Sequence, residues 1–132
     1  MSYKKLIKAA TDAKRYSYSP YSKFRVGAAL LTNSGRIYTG CNIENSSFGL
    51  TICAERTALF KAISEGRKNF KALAISTDSK DYISPCGACR QVMMDLVGNI
   101  DVVLTKGNRE HKILKLYDLL PHAFTPKNLT RN

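Results

Sequence analysis

Two short cysteine runs constrain this chain more than any other feature: Cys53-Ala-Glu55-Arg56 and Pro85-Cys86-Gly-Ala-Cys89. Each stands where a helix is expected to begin. From Cys53 to Ser64, Ala54, Ala58, Leu59, Ala62 and Ile63 supply an apolar stripe, and Gly66 is a stop. Ser84 suits the cap and Pro85 the first position of a second helix, running to about Val97 and ended by Gly98-Asn99. Cys86 and Cys89 lie three apart and so share a face. The positive end of each helix dipole and its free N–H groups favour thiolates there. If the two helix starts meet, three thiolates converge on one point. That is a tetrahedral zinc site with one position open, whereas structural zinc sites are normally closed by four protein ligands. A thioredoxin-type redox pair would account for Cys-x-x-Cys alone, but it calls for no third cysteine.

Glu55 lies two positions after Cys53, so on a helix it cannot point the same way as the cysteine. It is a poor fourth ligand and a good proton carrier, because a carboxylate beside a metal-activated water can take its proton and redeliver it. Three thiolates and Zn²⁺ sum to −1, which calls for a nearby cation. Arg56 is the candidate, donating hydrogen bonds to zinc-bound sulfur; the plainer alternative is a surface ion pair.

The rest of the chain frames these runs. Tyr3 to Tyr16 has helical spacing in Leu6, Ile7, Ala10 and Ala13, and Pro20 breaks the pattern. Phe24–Leu31 and Arg36–Ile43 read as strands joined by a turn at Asn33-Ser-Gly35. Further strands are expected at Ala72–Thr77, Asp101–Leu104 and Lys112–Leu114, with a last short helix at Leu116–Leu120. A hairpin followed by alternating helices and strands predicts one α/β domain over residues 1–132. Its architecture is three-layer α/β/α around a mixed, about five-stranded sheet. No apolar run approaches the ~20 residues of a membrane span, and the Lys-rich start lacks a signal-peptide pattern, so the expected compartment is the cytosol. The net charge of +11 is dispersed over the sequence, which fits a solvated surface better than a nucleic-acid groove.

Four blocks, taken in order, carry a resemblance that spans nearly the whole chain. They are Phe24-Arg-Val-Gly-Ala-Ala29, Cys41 through Arg56, Pro85 through Gln91, and Leu119-Leu-Pro-His-Ala-Phe124. Together they resemble the small homotetrameric cytidine deaminases, in the branch whose zinc is held by three cysteines. Zinc deaminases in general pair Cys₃ or His-Cys₂ ligands with a glutamate that is not a ligand. The resemblance implies one Zn²⁺ per subunit on Cys53, Cys86 and Cys89, with Glu55 as the catalytic proton carrier. It further implies hydrolytic deamination of cytidine and deoxycytidine to the uridines plus ammonia, in pyrimidine salvage.

The resemblance also implies a substrate site. In the extended run Gly40–Glu44, Asn42 and Glu44 share a face, and an amide beside a carboxylate suits sugar hydroxyls. The resemblance assigns them the ribose. It makes Phe24 a wall of the base pocket, although a core role is the generic expectation for such a residue. It gives the Ala54 N–H and the Ser84 carbonyl the pyrimidine edge. It sends Phe124 over the base in a neighbouring subunit, so that active sites are shared within a homotetramer. Phe48 departs from the family, which often has tyrosine there. His111 and His122 lack ligand spacing to the cysteines and read as structural or surface residues. Three alternatives stay open: an aminopyrimidine-antibiotic deaminase, a polynucleotide-editing deaminase, and a non-catalytic module in which Cys41 closes a structural Cys₄ site. The partners expected are a small nucleoside and other copies of the chain, with no nucleic acid and no membrane.

Overall fold

The computed structural model describes residues 3–107 and 110–122. Helix α1 (Lys4–Ala13) runs into a 3₁₀ turn, Lys14–Tyr16. Strands β1 (Val26–Thr32) and β2 (Ile37–Cys41) form the expected hairpin, and α2 (Ala54–Ser64) follows. Then come β3 (Phe70–Thr77), α3 (Gly87–Leu96), β4 (Asp101–Lys106), β5 (Glu110–Lys115) and α4 (Leu116–Leu119). The five strands make one sheet in the order β2-β1-β3-β4-β5. Only the β3–β4 pair is parallel, and α3 is the crossover it needs; the other pairs are antiparallel.

Alternation along the strands divides the core between two faces. Ala28, Leu30, Leu73, Ile75, Val102 and Leu104 meet α2, α3 and α4 through Ala58, Leu59, Met93 and Leu116. Ala29, Ala72, Ala74 and Val103 meet α1 through Tyr3, Leu6 and Ala10 on the other face. The mixed five-stranded sheet in three layers is therefore as the sequence predicts.

Two glycines set how closely helices approach the sheet. A Cβ on Gly27 would lie 2.0 Å from the Ala10 carbonyl oxygen, in the backbone of α1. A Cβ on Gly40 would lie 2.4 Å from the Ala58 nitrogen and 2.5 Å from the Ala54 carbonyl oxygen. Gly40 thus seats the first turn of α2, next to Cys53, against β2. Neither obstacle is a side chain that can swing away. Gly40→Ala is expected to cost about 3 kcal/mol, the upper range for overpacking. Thermal denaturation should show a midpoint roughly 10 °C lower; an unchanged midpoint would mean the helix is free to shift.

The start of α3 differs from the sequence expectation. Cys86, not Ser84, is the cap, and Pro85 lies outside the helix. The Cys86 sulfur accepts the Cys89 backbone N–H at 3.4 Å, and its backbone is extended (φ −63°, ψ 163°). The sulfur takes over the task expected of the Ser84 hydroxyl. The last two strands also extend beyond their expected ends, because their ladder pairs Asp101 with Lys115 and Lys106 with Glu110.

Candidate active site

Both α2 and α3 begin at the carboxyl end of β3: α2 runs back along the sheet toward the start of that strand, and α3 leaves from its end. Their N-termini therefore meet. Both caps are cysteines in extended conformation, Cys53 on α2 (φ −74°, ψ 154°) and Cys86 on α3. Cys89 follows one turn into α3 and is fully buried. The Cys53 and Cys86 sulfurs lie 3.6 Å apart, and all three sulfurs lie within 4.8 Å of one another. Three sulfurs at ~2.3 Å from one tetrahedral ion would be spaced roughly 3.8 Å apart, so the cluster fits zinc. Among the described residues, no fourth His, Cys, Asp or Glu joins this group. Cys41 lies on β2 outside it, where burial pushes its thiol up.

The charges around the sulfurs follow from their neighbours. Cys53 is drawn down to about 5, first by a hydrogen bond from Cys89 and then by Arg56 and Cys86. Cys89 moves upward, because it keeps its proton to donate to Cys53 and is itself buried. Without a cation, ionising one thiol hinders ionisation of the next. Arg56 Nη2 donates to the Cys53 sulfur at 3.5 Å, while its buried Nε has no partner. Glu55 is 5 % exposed, and burial first, then the Cys53 thiolate, pushes its carboxyl up to about 7.

A cavity of about 250 Å³ opens beside the sulfurs. Cys53, Ala54, Glu55, Ser84 and Cys86 line it together with Asn42. A second hollow holds Glu44 with Tyr21, Ser22 and Phe48, and Thr51 lines both. The site is thus elongated, with a metal-ligating end and an amide–carboxylate end. Phe24 enters through its backbone: its carbonyl accepts from Asn42 Nδ2 at 2.8 Å. Val26, two residues on, lines the inner cavity. Phe48 is 80 % exposed at the outer rim. Phe124 lies outside the described residues.

Thr51, Ile75, Thr77 and Ile83 also line the cavity and escaped the sequence reading. Ile75 and Thr77 alternate on β3 with Ser76, and that period was available as a signal. Thr51 and Ile83 sit in irregular backbone, which carries no period to read.

The hydrogen-bonding capacity of the outer pair is nearly used within the protein. Asn42 Oδ1 accepts from Ser17 Oγ at 2.5 Å and from the Val26 N–H at 2.9 Å. One Nδ2 hydrogen goes to Phe24, leaving one donor. Glu44 Oε1 accepts the Tyr21 and Ser22 N–H groups, and Oε2 accepts the Ser22 hydroxyl. One acceptor position remains.

The family model for the cytidine and deoxycytidylate deaminase zinc-binding region matches residues 1–105. The chain belongs to this deaminase family. It is 50% identical to a cytidine deaminase of Halalkalibacterium halodurans, over 98% of each chain. With a probable cytidine deaminase of Dictyostelium discoideum the identity is 51%, over 95% of this chain and 85% of the relative. The crystal structure of a cytidine deaminase from Burkholderia pseudomallei superposes with a TM-score of 0.90 at 48% identity, covering 94% of this chain and all of that one. Zinc is accordingly the cofactor of this deaminase, with one Cys₃ cluster per subunit. Among the described residues, no helix is long and apolar enough to cross a membrane.

Proposed function

We propose that this deaminase hydrolyses cytidine and deoxycytidine to uridine and deoxyuridine with release of ammonia, serving pyrimidine salvage. The observation that carries the reading is the convergence of three sulfurs at a cavity whose lining includes two of them and one buried carboxylate, Glu55. Cys53, Cys86 and Cys89 would hold the ion, which when bound supplies Lewis-acid activation of a water molecule at neutral pH. Arg56 balances the sulfur charge from outside the ligand set. Glu55 takes the proton released by the water and passes it to N3 of the pyrimidine, making C4 electrophilic. The water oxygen adds to C4. Glu55 then takes the remaining proton from the added hydroxyl and delivers it to the amino group, the C4–N bond breaks as the C4 carbonyl forms, and ammonia leaves.

Ala54 and Ser84 line the same cavity, where the Ala54 N–H and the Ser84 carbonyl would hold the polar edge of the base. One free donor on Asn42 and one free acceptor on Glu44 suit a single sugar hydroxyl, which both accepts and donates. Recognition of one hydroxyl supports turnover of ribo- and deoxyribonucleosides alike.

The chain is further proposed to act in the cytosol as a homotetramer with shared sites. Four free cysteines suit a reducing compartment. Exposed Phe60 and Leu96, lining a groove between α2 and α3, support burial against another copy. In such an assembly Phe124 of one subunit would cover the base held by the next, and Phe24 would wall the pocket.

The test is product analysis on zinc-loaded protein whose mass is fixed by light scattering. Uridine and ammonia should form in equal amounts from cytidine, with no product from an RNA strand. Release of ammonia from blasticidin-type aminopyrimidines but not from cytidine would replace this reading with the antibiotic-deaminase alternative.

A further inference from the structure

The serines between α1 and β1 have no role in the chemistry above, yet their hydroxyls contact both residues at the sugar end. We propose that residues 17–24 form a strap that presets the sugar-recognising pair, with Ser22 positioning the Glu44 carboxylate and Ser17 positioning the Asn42 amide. The inference rests on the nucleoside reading of the site.

The backbone argument comes first. The strap lies along residues 42–44: the Tyr18 N–H donates to the Asn42 carbonyl at 3.0 Å, and the Glu44 N–H donates to the Tyr18 carbonyl at 2.8 Å. It then turns sharply through Lys23, a non-glycine residue at φ +60°. That conformation is unfavourable for a residue with a side chain and persists only where neighbours impose it. Here the Lys23 N–H is held by the Ser19 carbonyl at 3.1 Å, and the Phe24 N–H by Ser22 Oγ at 3.1 Å. The turn aims the Tyr21 and Ser22 N–H groups at one oxygen of Glu44, at 3.0 and 3.1 Å.

Side chains complete the arrangement. Ser22 Oγ donates to the other Glu44 oxygen, so the carboxylate is gripped at both ends. Ser17 Oγ fills one lone pair of Asn42 Oδ1 at 2.5 Å, and the Val26 N–H fills the second. The amide therefore cannot flip without losing both bonds and the Nδ2 bond to Phe24. These contacts hold Glu44 in its ionised form, Ser22 chief among them. Glu44 is half-buried, and a partly solvated carboxylate on a flexible stem would otherwise spread over several rotamers. The strap removes that freedom before substrate arrives, which is preorganisation.

A double-mutant cycle in KM tests this. Ser22→Ala should raise KM for cytidine about tenfold, the loss of one hydrogen bond to a charged group, with kcat within about twofold. Ser22→Thr, which keeps the hydroxyl, should restore KM. On a Glu44→Ala background, Ser22→Ala should raise KM no further, because the residue it acts through is gone. A thermal midpoint within a few degrees of wild type confirms folding, and Ser17→Ala paired with Asn42→Ala provides an independent second cycle. Additive KM effects in both cycles, or a fall in kcat at constant KM, would overturn the strap while leaving the deaminase reading standing. Wild-type protein that ignores cytidine would end both.

Discussion

Glu55→Gln is expected to lower kcat for cytidine by about a thousandfold, the middle of the range for a positioned acid–base group, while zinc content stays at one per chain. The amide matches the carboxyl in shape, so the cavity wall is preserved. It cannot take a proton from water, and among the described residues lining the cavity no other carboxylate stands to replace it. Stability should separate from activity in this variant. Burial raises the wild-type carboxyl from about 4.5 to about 7. A carboxyl with a raised folded pKa stabilises the native state below its unfolded value and loses that contribution as pH climbs through the folded value. Stability of the metal-free wild type should therefore fall between about pH 4.5 and 7. Metal-free Glu55→Gln, with no charge to bury, should lack that decline and melt no lower than wild type at pH 8. Zinc analysis, steady-state kinetics and melting curves on the two proteins check the three parts. Near-normal turnover by the glutamine variant would remove Glu55 from the mechanism.

How far the sequence could be read depended on the physics acting at each place. The two cysteine-opened helices were legible because a cap, an apolar stripe and a stop all agree over Cys53–Gly66 and again up to Gly98. The hairpin was legible because Gly35 sits between two apolar runs, and Gly35 does adopt a positive φ of 96°. The start of α3 departs from its sequence signal because a serine before a proline is strong locally, whereas the sulfur that displaces it acts only once Cys86 and Cys89 are folded together. Strand β5 extends beyond its sequence signal because it is exposed along most of its length, so no alternation marks its ends. Its extent is set by hydrogen bonds to β4, which lie outside any local window. The strap over Asn42 and Glu44 was invisible for a related reason. Ser17 and Asn42 are 25 positions apart, and loop serines resemble any solvated turn.

Cys89→Ser is expected to lose zinc and, with it, turnover down to background. Cys89 is fully buried at the meeting of α2 and α3, where its sulfur stands within reach of both other ligands. Serine is shorter in its bond to the metal, harder as a donor and ionised far less readily than a thiol, so two thiolates would remain to hold the ion. The change should also lower stability beyond the loss of one contact. An ion that binds only the folded chain contributes its binding free energy to folding. In this chain that contribution ties the first turns of two separate helices together. Wild-type protein treated with a strong chelator should therefore melt close to Cys89→Ser, and added zinc should restore the wild-type midpoint only in the former. Cys41→Ser is the informative partner experiment. Cys41 lies on β2 apart from the cluster, so this variant should keep one zinc per chain and full activity. Zinc lost from Cys41→Ser as well as from Cys89→Ser would mean that Cys41 closes a structural Cys₄ site after all, and zinc retained by Cys89→Ser would mean that the ligand set is different. Loss from Cys89→Ser alone leaves the metal with three protein ligands and a free position, which is the arrangement that hydrolysis at C4 requires.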